Sequence, residues 1–328
     1  MAAMLVGAAV LSFVIAYGLV RVLLTRFARV ALDRPNERSL HERPVPRTGG
    51  IAVLLGCASA LAFGSGQIWL PLVIAVALGA VSFFDDLHGL PTAARLAAHL
   101  AAATFFAWYV LSPMAPLELA LIVIAIAWLT NLYNFMDGSD GLAGGMALIG
   151  FAACALAASA AGHATIALLC GAVAAASAAF LVHNFHPARI FLGDVGSIPL
   201  GFLAGAVGVL GWRDDAWPLW FPVLVFGPFI GDATLTLVKR VIRGERVWRA
   251  HRDHYYQRMV RMGLGHRKTA LLSYAAMIAC AAAALAGRSA APHVQAVAFS
   301  AGVALLAGIA VWVDVSWGRY LRQAEKPA

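Results

Sequence analysis

Eleven apolar stretches punctuate this chain, and they decide its fold class before any motif is read. They lie near 4–24, 49–65, 68–84, 95–111, 117–132, 143–161, 164–181, 198–211, 217–238, 270–287 and 292–313. Apolar runs near 20 residues cross a bilayer as helices, and the shorter ones fit tilting or burial inside a bundle. Only 12% of the residues are charged and mean hydropathy is +0.81, whereas soluble domains carry about a quarter charged residues. The expected fold is all-α: a polytopic membrane bundle of 10–11 transmembrane helices, with residues 1–328 forming one integral domain. Cys57, Cys154, Cys170 and Cys280 each sit in an apolar run without a Cys-x-x-Cys pair. They read as small buried hydrophobes, not as a disulfide or zinc site. The first stretch has no basic leader or clear cleavage site, so it is expected to stay as a helix.

Charge orients the bundle. With the loop after the first stretch in the cytoplasm, and sides alternating from there, 22 of the 24 Lys and Arg fall inside. Only Arg213 and Arg288 remain outside. The positive-inside rule demands this asymmetry. The expectation is a multi-pass protein of the bacterial cytoplasmic (inner) membrane, with its N-terminus outside. The net charge of +8 is then mainly a topology signal, and it also suits membrane lipids with anionic headgroups and a polyanionic substrate. Nucleic acid is not expected as a partner.

The outside loops are short and bland, whereas the inside loops concentrate functional groups. A transporter more often places polar groups near the midplane on broken helices. The stretch from Asn131 to Leu142 holds Asn131, Asn134, Asp137, Gly138, Asp140 and Gly141 between two apolar runs. A plain membrane turn needs one or two polar residues. Asn134, Asp137 and Asp140 are three apart, so a helical turn brings them to one side. Oxygen-only ligands suit magnesium, which keeps waters and contacts substrate phosphates.

Four other stretches join it. The loop from Asp33 to Gly50 carries His41 and Arg47 and is either a basic anchor or a phosphate contact. Asp85 and Asp86 are adjacent carboxylates at a helix end, costly there unless hydrated or paired. On a helix they point about 100° apart, so one can face a metal or phosphate while the other acts as a base or caps the interface. His183, Asn184, His186 and Arg189 precede Asp194, which lies between Gly193 and Gly196 where a diphosphate can approach; Asp194 is the first choice for metal ligand. The basic loop holds His251, Arg252, His254 and Arg258, suited to a diphosphate or to a solvated face. No cysteine or third clustered histidine supports zinc there. Asp232, inside the ninth stretch, is either functional or a structural polar contact.

Together these motifs closely resemble the polyprenyl-phosphate N-acetylhexosamine-1-phosphate transferases, in order, spacing and topology over nearly the whole chain. The resemblance implies transfer of a sugar-1-phosphate from a UDP-N-acetylhexosamine to undecaprenyl phosphate with release of UMP. It implies a magnesium ion, with manganese as the substitute, held by Asp194 with Asn134 nearby. Asp85, Asp86 and Asp137 fall among the catalytic carboxylates, one of the Asp-Asp pair accepting the lipid phosphate proton. Arg47, Asn131, Asp140 (by the uridine), Asn184, His251, Arg252, His254 and Arg258 would contact substrate. A homodimer is compatible with it. Leu87, His88 and Gly89 stand where many members have a third Asp or a Lys, and His-Arg-Asp-His replaces a tighter histidine cluster. Both departures resemble the branch that initiates O-antigen or other surface polysaccharides, more than the phospho-MurNAc-pentapeptide transferases of peptidoglycan synthesis. N-acetylglucosamine, N-acetylfucosamine and N-acetylquinovosamine stay open as the sugar. A lipid or nucleotide-sugar transporter and a non-catalytic binding scaffold are the alternatives outside this class.

Overall fold

The structure, a computed structural model, describes residues 2–27, 31–33, 40, 44–64, 66, 68–247 and 251–324. His41 of the first polar loop, with Arg34, Arg38 and Arg43, lies outside the described residues. The chain forms α1 (Ala2–Arg26), α2 (Gly49–Ala58, extended by a tight turn over Ser59–Ala62), α3 (Trp69–His88), α4 (Thr92–Leu111) and α5 (Pro116–Phe135). Then come α6 (Leu142–Ala160), α7 (Ala164–Asn184), α8 (Asp194–Arg213), α9 (Trp220–Val225) and α10 (Gly227–Ile242). The last helices are α11 (Tyr255–Met259), α12 (Gly265–Gly287) and α13 (Pro292–Ala324). Among the described residues the only strands are β1 (Leu32–Asp33) and β2 (Val45–Pro46), an antiparallel pair.

Each of the eleven apolar stretches is largely helical over its described residues, and among those residues nine helices are long and apolar enough to cross a membrane. The protein is an all-α, multi-pass membrane protein. The ninth stretch departs from the reading of a single span. It breaks at Phe226–Gly227 into α9 and α10, because Pro228 lacks an amide proton and fits only the first turn of a new helix. The second stretch is likewise short.

Burial grades across the bundle. Nearly all of α8 is enclosed by neighbours that include α2, α3 and α5, whereas α13 leaves most of its length open. Exposed Val, Leu and Phe along α1, α3, α5 and α13 are what a lipid-facing wall requires. Inside, small residues let helices approach. A Cβ on Gly50 would lie 2.3 Å from the Cα of Gly196, so α2 crosses α8 backbone to backbone. Gly193 has φ +71°, and a Cβ there would meet the Arg47 carbonyl at 2.3 Å. Backbone hydrogen bonds run alongside: Gly49 N–H to Phe191 O, Gly50 N–H to Leu192 O, and Phe191 N–H to Pro46 O. The first polar loop is thereby tied to the turn that starts α8.

Gly50→Ala should destabilise the protein by about 1–3 kcal/mol, because the methyl group meets backbone that cannot move aside cheaply. Gly171, in α7, has nothing within 4 Å of its added Cβ. Gly171→Ala should hold or raise stability by up to about 1 kcal/mol. Thermal unfolding in detergent checks the pair; equal effects would contradict this account of the α2–α8 crossing.

Candidate active site

The polar loops meet at one end of the bundle because helix ends are where polar groups stay hydrated. α3 delivers Asp85 and Asp86 in its last turn, and α4 returns Arg95 toward them. Arg95 Nη1 lies 3.3 Å from Asp85 Oδ2 and 4.0 Å from Asp194 Oδ2. Arg47 Nη2 lies 3.3 Å from Asp86 Oδ1. Asp194 opens α8, where the helix N-terminus favours a negative charge. The Asn134 side chain hydrogen-bonds Asp194, and the Gly193 N–H donates to Asp137. Asp85, Asp86 and Asp194 therefore share two guanidiniums, while Asp137 lies near Asp194 without an arginine partner of its own.

The charge in this cluster is not fully balanced. Burial holds the Asp137 carboxyl well above the usual carboxylate range, and the charges of Asp194 and Asp33 push the same way against the Gly193 hydrogen bond. Asp86 Oδ2 is buried and has no hydrogen-bond partner. Among the described residues no three His, Cys, Asp or Glu converge as a ready-made ligand set. A hard divalent cation such as magnesium does not need one: it takes one or two carboxylates and completes its shell with water and phosphate oxygens. The side chain of Asp86 is 5% exposed and that of Asp194 is 28%, so an ion reaches Asp194 more readily. The all-oxygen donor set fits such an ion.

Beside the cluster is a cavity of about 230 Å³ lined by Asp33, Arg47, Asp137, Asp140, Asp194 and His266 among others. Asp140 Oδ2 accepts from His186 Nδ1 at 2.6 Å and from Ala188 N–H at 3.1 Å. Asn184, also in the wall, spends its amide on the backbone: Oδ1 accepts from Gly141 N–H and Nδ2 donates to Ile190 O. Asn131 lies one turn before Asn134; its Nδ2 donates to Ala127 O, and its side chain hydrogen-bonds His99.

The histidine segment is placed differently. Asp232 accepts from the N–H groups of Tyr255 and Tyr256 and pairs with His254 Nδ1 at 3.1 Å. It thus caps α11, the structural contact that sequence left open. Arg258 donates to Asp314 of α13, which also pairs with Lys239. His254 and Arg258 thus face α10 and α13, and Gln257 of the same segment reaches the cavity. His251 lies against His254 with ring centroids 4.9 Å apart and planes tilted by 32°, and Arg252 is half-buried. Arg95, Gln257 and His266 carry no local sequence signal for chemistry: Arg95 is one of the 22 inside basic residues, and Gln257 and His266 meet the site through contacts remote in sequence.

A second cavity of about 580 Å³, almost wholly apolar, lies between α9, α10, α12 and α13. Met136 and Leu142, on either side of the acidic turn, form part of its wall.

The profile of Glycosyl transferase family 4 matches residues 68–212, the span from α3 to α8 that carries the carboxylates. The chain is 29% identical to a "Probable undecaprenyl-phosphate N-acetylglucosaminyl 1-phosphate transferase" of Bacillus subtilis (strain 168), over 74% of this chain and 74% of the relative. It is 31% identical to a "Decaprenyl-phosphate N-acetylglucosaminephosphotransferase" of Mycolicibacterium smegmatis, over 79% of this chain and 75% of the relative. It is also 31% identical to a "Phospho-N-acetylmuramoyl-pentapeptide-transferase" of Shouchella clausii, over 66% of this chain and 75% of the relative.

His251 offers a test of the surroundings of this segment. Burial, then the charges of His254 and Arg240, bring its pKa down to about 4 against the opposing pull of Asp253 and Glu245. An unfolded chain's histidine titrates near 6.5. Between about 4 and 6.5 the unfolded state binds the extra proton, so stability falls as pH drops through that window. His251→Gln should flatten this part of the Tm-against-pH curve; an unchanged slope would contradict the assignment.

Proposed function

Because the chain belongs to glycosyl transferase family 4, with relatives named as polyprenyl-phosphate sugar-1-phosphate transferases, we propose that it transfers N-acetylhexosamine-1-phosphate from a UDP-sugar to undecaprenyl phosphate. The observation that carries this reading is the convergence of Asp85, Asp86, Asp137 and Asp194 with Arg47 and Arg95 beside a polar cavity. Two anions must meet for the reaction, and a site of mixed carboxylates and guanidiniums can hold a cation and phosphates together. A lipid phosphate oxygen attacks the β-phosphorus of the UDP-sugar. The new phosphorus–oxygen bond forms as the bond to the bridging oxygen breaks, and UMP leaves. Positioning and charge neutralisation supply most of the rate in such transfers.

In this reading Asp194 and Asn134 would hold magnesium, or manganese in its place, which would supply charge neutralisation for the phosphates. Asp85 or Asp86 takes the lipid phosphate proton, and Asp137 keeps the turn and Gly193 in register. Arg47 and Arg95 release their carboxylates to meet phosphate. Asp140 and Asn184 shape the donor pocket, Asn131 supports the helix that carries Asn134, and Gln257 brings the segment with His251, Arg252, His254 and Arg258 to the cavity edge. The apolar cavity beyond Met136 and Leu142 suits an isoprenoid chain. The acidic face lies on the cytoplasmic side of a bacterial inner membrane, a placement that the basic-residue asymmetry supports. The product starts O-antigen or a related envelope polysaccharide.

Membranes carrying the protein should release UMP from UDP-N-acetylglucosamine or a related UDP-sugar only with polyprenyl phosphate and a divalent cation present. Asp194→Asn and Asp194→Ala should each lower the rate by about 10²–10³-fold, the scale of losing one preorganised electrostatic group, with the melting temperature held. Full activity in both variants would remove Asp194 from the metal site. Movement of an unmodified substrate across a vesicle without UMP release would favour a transporter.

A further inference from the structure

His266 is the second residue of α12, 127 positions from Ser139 and 226 from Leu40, yet it touches both. Its Nε2 lies 3.0 Å from the Leu40 carbonyl oxygen. A carbonyl only accepts, so Nε2 carries the proton. Nδ1 is then the acceptor. Ser139 Oγ stands 2.9 Å from it and the Asp140 N–H donates toward it at 3.4 Å. The ring lies parallel to His186, 10° between planes and 5.5 Å between centroids. His186 in turn donates to Asp140 Oδ2. Asp140 is therefore gripped twice, at its carboxylate by His186 and the Ala188 N–H and at its backbone by His266. Leu40, Ser139, Asp140 and His266 line the polar cavity, as do Asp137 and Asp194.

We propose that His266 is a positioning residue for the nucleotide-sugar donor: in its Nε2–H tautomer it presents Nδ1 as the acceptor that holds the Ser139–Asp140 turn and so fixes the Asp140 side of the pocket. It acts through Asp140 and touches no reacting atom. This rests on the proposed reaction for its kinetic consequence, though not for its tautomer. A plain packing role predicts loss of stability on substitution. A positioning role predicts weaker donor binding, with the chemical step and the lipid acceptor little affected.

Two isosteres separate the ring's two contacts. An Asn amide can take the place of Nδ1, and a Gln amide that of Nε2. Steady-state kinetics of the full-length protein in membranes should give His266→Ala and His266→Gln a donor KM raised about tenfold, the scale of losing one hydrogen-bonded constraint. In both, kcat should stay within about twofold, and the acceptor KM should not move. His266→Asn should recover most of the donor KM. An unmoved donor KM in His266→Ala, or rescue by Gln instead of Asn, overturns the proposal. Independently, ¹⁵N-histidine spectra of the purified protein, assigned through His266→Asn, should show the Nε2–H tautomer; Nδ1–H overturns it. If the wild-type protein releases UMP from no UDP-sugar, the proposed reaction fails, and the tautomer still decides the geometry claimed for His266.

Discussion

Carboxylates crowded at the ends of membrane helices repel one another, and most of the site exists to manage that repulsion. Asp85, Asp86, Asp137 and Asp194 are drawn together from α3, the α5–α6 turn and α8. Leaving one of them charged and unpaired in a low-dielectric wall would cost several kcal/mol. Arg47 and Arg95 answer part of the charge, the N-terminus of α8 answers another part, and the Gly193 N–H supports Asp137. What is left over is a negative potential concentrated beside a polar cavity. A divalent cation and a phosphate-bearing substrate would complete the balance together.

The fold supplies the geometry for this balance. The backbone contact of Gly50 with Gly196 brings α2 against α8, and the hydrogen bonds of Phe191, Gly49 and Gly50 carry Arg47 to the start of α8. A bulkier residue at either crossing position would separate Arg47 from the acids it answers. On the other flank, Asp232 and Asp314 fix the histidine segment so that Gln257 borders the cavity. Packed helices on both sides thus fix the backbone that carries these groups, which is what positioning chemistry requires. Stability and function meet in the same contacts.

The helices were legible because hydrocarbon leaves a chain few ways to satisfy its backbone, and an apolar run records that constraint directly. The acidic motifs were legible for the converse reason: Asp137 and Asp140 between greasy helices demand a partner. The break of the ninth stretch was overlooked although Gly227 and Pro228 mark it, because the apolar run continues through them. Asp232 looked ambiguous, since nothing nearby in sequence shows that the amides of Tyr255 and Tyr256 need a cap. Arg95 and His266 were missed for the same kind of reason. Each is a single polar residue whose meaning comes from partners on other helices, and His266 reaches across more than a hundred residues to Ser139. Local pattern carries elements and clusters; it does not carry such pairings.

In the proposed reaction the uncompensated acids hold a divalent cation. Manganese can report on this directly, because its anomalous scattering locates it in a crystal of the protein grown with UDP-sugar. One dominant peak is expected in coordination contact with Asp194, lying toward the polar cavity. A peak confined to other carboxylates, or none at saturating manganese, would contradict it.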